Sequence, residues 1–146
     1  MSRSGHFLSI VALSLAGCVS LACSNSQHQI QSLTLSPSSA DAQNYPNGQV
    51  PFIATGTYNT PPLTVAPLQA NWGAETEQNG FFTGSTTAVS VNSSGLAQCT
   101  AGASGTYAIG AWVLIDPHAR YSCASMGAFG QPGCNSVLGT AQITCP

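Results

Sequence analysis

The side chains able to do chemistry are few in this sequence, and sulfur dominates them. There are six cysteines, three histidines and four carboxylates. Glu75 and Glu77 form the only close acid pair. Residues two apart on a strand share a face, so paired carboxylates there could serve glycoside hydrolysis. The Glu-Thr-Glu run lies in a polar stretch flanked by Gly and Asn, however, and reads as solvated. A Ca²⁺ site would need several oxygen ligands, with Asp41 or Asp116 as further donors. His118, Cys123 and Met126 carry the imidazole, thiolate and thioether of a blue-copper site. Such a site needs a second histidine, and the remaining candidate is His28, far away in the chain. Cys134 offers Cys123 a disulfide partner instead. A Cys–His nucleophile would need a free thiol beside His118. No Gly-x-Ser-x-Gly elbow, phosphate loop or zinc-spaced cysteine pair occurs. The expectation is a chain that is not an enzyme and needs no metal or cofactor.

Two tryptophans remain as candidates for binding. Trp72 is in phase with Leu68 and Ala70 and reads as core. Trp112 is out of phase with the apolar face of its own run. Together with Tyr121, Met126 and Phe129 it could form an apolar binding surface for a protein or glycan.

Charge excludes other partners. Only 4% of the residues are charged, against about 25% in average proteins. There is no Lys, and Arg3 and Arg120 are the only bases. No basic patch exists to neutralise phosphates, which argues against nucleic acid and against polybasic attachment to anionic lipid. The apolar fraction is 43%, in short alternating runs that can form a core. With 146 residues, one domain is expected.

Residues 1–17 have the layout of an export signal: one base, then the apolar run from Phe7 to Leu15, then small residues. The run is too short to span a bilayer, which takes about 20 apolar residues. Leu15-Ala16-Gly17-Cys18 resembles the lipobox of bacterial lipoproteins. That resemblance implies cleavage before Cys18 and diacylation of its thiol. Ser20-Leu21-Ala22-Cys23 is an alternative box, with Ser20 where an aliphatic residue is usual. An ordinary secretory cleavage near Ala22 is the other reading. Residues 18–30 are then a tether. The chain would be anchored by lipid at the outer membrane or cell surface, with a periplasmic or secreted form as the alternative.

In an exported chain, the even set Cys99, Cys123, Cys134 and Cys145 points to disulfides. Cys123 and Cys134 bracket a Gly-rich loop without strand pattern, whereas Cys99 and Cys145 sit near the ends of strand-like runs. The expected pairs are Cys99–Cys145 and Cys123–Cys134. The first closes more than roughly 40 residues and adds about 4 kcal/mol in the chain-entropy treatment.

These bridges must be positioned by strands. Period-two alternation marks Gln31–Ser36, Val50–Tyr58, Leu68–Trp72, Ala88–Val91, Leu96–Cys99, Thr106–Ile115 and Thr140–Cys145, separated by Pro, Gly, Asn and Ser turns. The 106–115 run is apolar on both faces and reads as a central strand. Pairing it antiparallel with the last run puts Cys145 opposite its start. About seven short strands predict an all-β, immunoglobulin-like sandwich over residues 31–146, disulfide-bonded, with an insertion at 116–136.

The order Leu33-Thr34-Leu35-Ser36-Pro37, Phe52-Ile53-Ala54-Thr55-Gly56-Thr57-Tyr58, Ala70-Asn71-Trp72, Ala88-Val89-Ser90-Val91-Asn92-Ser93-Ser94-Gly95-Leu96-Ala97 and Gly105-Thr106-Tyr107 resembles bacterial immunoglobulin-like domains of group 2. The four cysteines and the insertion depart from that family. The resemblance implies surface display, adhesion or spacer duty, and brings no catalytic residue. The expected function is a surface-tethered structural or adhesive module. The alternatives are a carbohydrate-binding or pilus-like assembling subunit on the same fold, and a small metalloprotein or hydrolase using the insertion. Strand edges without Lys leave self-association by strand addition open.

Overall fold

Apolar side chains at every second position give strands, and in this protein they zip two layers together. The computed structural model describes residues 28–78, 81–115 and 136–146. Cys18, Cys23, Asp116, His118, Tyr121, Cys123, Met126, Phe129 and Cys134 lie outside the described residues.

Eleven strands are found, with no α-helix among the described residues. They are β1 (Ile30–Ser36), β2 (Ser39–Asp41), β3 (Gln49–Pro51), β4 (Ile53–Tyr58), β5 (Thr64–Val65), β6 (Asn71–Gln78), β7 (Phe81–Ser85), β8 (Val89–Val91), β9 (Leu96–Cys99), β10 (Gly105–Leu114) and β11 (Ser136–Cys145). One layer is a five-stranded sheet in the order β2-β11-β10-β6-β7. The other is built from two small sheets, β1-β4-β5 and β3-β9-β8. The core between the layers is formed by Leu33, Leu35, Val50, Phe52, Ala54, Val89 and Ala97 on one side, and Ala74, Ile109, Ala111, Ala141 and Ile143 on the other.

The sheet order β2-β11-β10-β6-β7, packed against the two small sheets, fits an immunoglobulin-like sandwich. After the Ser36–Pro37 bond the chain leaves β4, and β2 pairs parallel with β11. Strand β10 is central, between β11 and β6, as its two apolar faces predict. Gly105 pairs with Cys145 at one end and Leu114 with Ser136 at the other. In β11 the expected alternation holds: Ala141, Ile143 and Cys145 are buried while Thr140, Gln142 and Thr144 are exposed.

Several expectations need correction. The strand count exceeds seven because the 50–58 run divides in two and because β2, β5 and β7 lie outside the alternating runs. The 50–58 run divides at Phe52, where the Phe52 N–H donates to the Gly95 carbonyl at 2.9 Å and the chain changes partner from β9 to β1. The side-chain phase survives the break, so Val50, Phe52 and Ala54 all point inward. The 68–72 run is a strand only from Asn71, because at Leu68 the chain is still bonded to the other layer, where the Leu68 N–H donates to the Ala54 carbonyl at 2.8 Å. Leu68, Ala70 and Trp72 nevertheless pack together against the core. The sandwich also starts earlier than residue 31. Ile30 is buried in β1, and the Gln29 N–H donates to Asn59 Oδ1 at 2.8 Å. Ser136, assigned to the insertion, opens β11.

Candidate binding surfaces

The two ends of the sandwich differ in what they carry. At one end lie the start of β1, the end of β4, the end of β10 and the start of β6. There the His28 ring stacks on Tyr58 with centroids 4.1 Å apart, and His28 Nδ1 shares a 3.0 Å hydrogen bond with Thr60 Oγ1. The chain preceding the domain therefore enters at this end. Trp112 is near it, on the outward face of the five-stranded sheet, as its phase predicts. It is half-buried and borders a recess of about 240 Å³ with Gln69, Ala70, Asn71 and Val113. Asn71 Nδ2 lies 3.5 Å from the Trp112 carbonyl. The indole Nε1 is shielded from solvent. The partners expected for it, Tyr121, Met126 and Phe129, fall outside the described residues.

Trp72 takes the inward face, opposite Ala111, and packs against the core. The reading of it as a core residue holds.

Glu75 overturns the reading of a solvated acid pair. It is only 1% exposed, on the outward face of β6, facing Ala108 across the pair with β10 and Ser85 across the pair with β7. By register, Gly73, Ala108 and Gly110 are its neighbours on the same face. Asp41 is in β2, with two strands between it and β6, about 14 Å at ordinary strand spacing. Its carboxylate accepts from the Gln43 N–H at 2.9 Å. The two carboxylates do not share a cation site. Among the described residues, no group of three or more His, Cys, Asp or Glu side chains converges.

At the far end, Cys99 and Cys145 form the expected disulfide, joining β9 of one layer to β11 of the other. Beside it lies a larger recess of about 460 Å³. One wall is two tight turns, Ala42–Asn44 and Pro46–Gly48, which bring Gln43, Tyr45 and Asn47 to its rim. The other wall is Gln98 and the loop from Thr100 to Ala103. Asn47 and Gly48 both have left-handed backbone, with φ of 58° and 66°, which turns the first wall back toward Gln98. Gln98 Nε2 donates to the Asn47 carbonyl and its Oε1 accepts from Gln49 Nε2, each at 3.4 Å.

Neither protein-family models nor curated proteins match the chain.

The sites are therefore read from their own geometry. Sequence reasoning passed over the second recess because residues 38–49 have no strand periodicity. The Asn47-Gly48 pair was the available signal, since that dipeptide marks a left-handed turn.

Proposed function

We propose that this protein is a non-enzymatic, surface-tethered immunoglobulin-like module that holds a binding or spacing surface away from a membrane. One observation carries the reading: the chain enters the sandwich at one end, and the disulfide and larger recess occupy the other. The long strands β10 and β11 have ten residues each, so the two ends are about 30 Å apart. With lipid on Cys18 and a polar tether, the far end is presented outward.

Assignment to the group 2 bacterial immunoglobulin-like domains is part of the proposal. For the immunoglobulin-like fold that the assignment requires, Tyr107 near the start of β10 donates its hydroxyl to the Ser104 carbonyl at 3.0 Å, as in the tyrosine corner of such sandwiches. The Asn92–Leu96 turn, which carries part of the resemblance, joins β8 and β9.

The test is chemical. Mass spectrometry of the mature N-terminus is expected to show an acylated Cys18, and Cys18→Ala is expected to move the protein from the detergent phase to the aqueous phase. Lipid on Cys23 would shorten the tether and keep the reading. An unmodified residue other than cysteine at the mature N-terminus would overturn the anchor.

A second reading, carbohydrate binding, is favoured by the amide-rimmed recess at the far end, whose lining has no charged side chain.

A further inference from the structure

We infer that the recess between the 42–48 turns and the 98–103 loop binds a neutral saccharide. This deepens the carbohydrate-binding reading and rests on it. The recess volume, about 460 Å³, lies within the range of small-molecule sites, roughly 300–1,000 Å³.

Electrostatics select the ligand class. The chain has two bases, Arg3 and Arg120, and both are outside the described residues. An anionic ligand finds no cationic side chain among the residues lining the recess, and a cation finds no carboxylate side chain there. The nearest acid in sequence, Asp41, is engaged in capping the first turn. The lining includes the amide-bearing Gln43, Asn47 and Gln98, Thr100, whose hydroxyl donates to the Ala88 carbonyl at 3.1 Å, and the ring of Tyr45, packed partly against the core. Amides both donate and accept, as sugar hydroxyls do. An aromatic ring supplies apolar area with a polar tip at small entropic cost.

The site is also held in shape before any ligand arrives. Gln98 bridges Asn47 and Gln49 through two contacts of 3.4 Å. Cys99, the next residue, is covalently tied to Cys145. The Ala103 N–H donates to the Thr100 carbonyl at 3.0 Å, closing the loop that forms the second wall. Such preorganisation lowers the ordering cost of binding. A peptide adding as a strand would need an open edge, whereas this recess is walled by turns and a loop.

The experiment is a solution titration of the intact, oxidised protein, read by two-dimensional NMR of its backbone amides. The neutral probes are cellotetraose, maltotetraose, mannotetraose and chitotetraose. Sialyllactose and a Gly-Ser peptide serve as anionic and peptide comparators. At least one neutral probe is expected to give saturable shifts confined to residues 42–48 and 98–103. Gln98→Ala, at an exposed position, is expected to weaken that binding at least about tenfold, with the spectrum elsewhere unchanged. Tyr45→Ala should do the same, and Gln98→Ala decides the matter if that variant does not fold. The inference is overturned by no saturable shift up to about 10 mM of any neutral probe. Shifts centred on Trp112, or binding of only the anionic or peptide comparator, overturn it equally. The titration does not depend on the lipid, so its failure is separable from failure of the anchor, which N-terminal mass reads.

Discussion

At the scale of single residues, the turn between β8 and β9 shows how local chemistry and packing meet. Asn92 Oδ1 accepts from the Ser94 N–H at 2.9 Å, the Ser94 hydroxyl at 2.7 Å and the Leu96 N–H at 3.0 Å. Gly95 then takes φ of +81° and donates its N–H to the Asn92 carbonyl. A Cβ on Gly95 would collide with the Phe52 carbonyl and come within 2.7 Å of Trp72 Cζ2. Left-handed strain adds about 1–2 kcal/mol and overpacking about 1–3 kcal/mol. Gly95→Ala is therefore expected to lose about 3 kcal/mol, read as a lower urea midpoint. Asn92→Ala leaves three donors to find water and is expected to lose about 1–2 kcal/mol in the same assay. Phe52 is 1% exposed at the centre of the core, and Phe52→Ala is expected to cost about 3–5 kcal/mol. Glu75 gives the opposite lesson. Its neighbours in sequence are polar, yet it is almost fully buried on the outward face of β6.

At the scale of elements, Cys99–Cys145 joins strands of opposite layers across 46 residues of chain. The chain-entropy treatment assigns such a loop about 4 kcal/mol, a large part of the 5–15 kcal/mol typical of a domain. The double variant Cys99→Ala/Cys145→Ala is expected to unfold at a much lower urea concentration than the oxidised protein, and dithiothreitol should lower the midpoint of the oxidised protein in the same direction. The sheet edges are mostly short: β2, β3 and β8 have three residues each and β5 has two. Short edges resist strand addition. Among the described residues, the longer edges are β1 and β7. Thr34→Lys, exposed on β1, is expected to reduce any concentration-dependent mass that light scattering detects in the unmodified protein.

At the scale of the whole molecule, polarity is end to end. His28 and Gln29 dock where the chain enters, and the disulfide closes the opposite end. The layer opposite the five-stranded sheet was the part least legible beforehand. Alternation records which side of a strand faces the core, so the inward phases of Leu33, Phe52, Ile109 and Ile143 could be read directly. Alternation does not record hydrogen-bond partners, so the step at Phe52 from β9 to β1 could not. The Cys99–Cys145 pair was legible because antiparallel pairing of two long runs puts Cys145 beside Gly105, a few residues beyond Cys99. Local pattern thus determined strand phase, the central place of β10 and one disulfide. Only tertiary packing decided the division of β3 from β4, the burial of Glu75 and the recess beside Gln98, because each depends on residues distant in the chain that meet only in the folded protein.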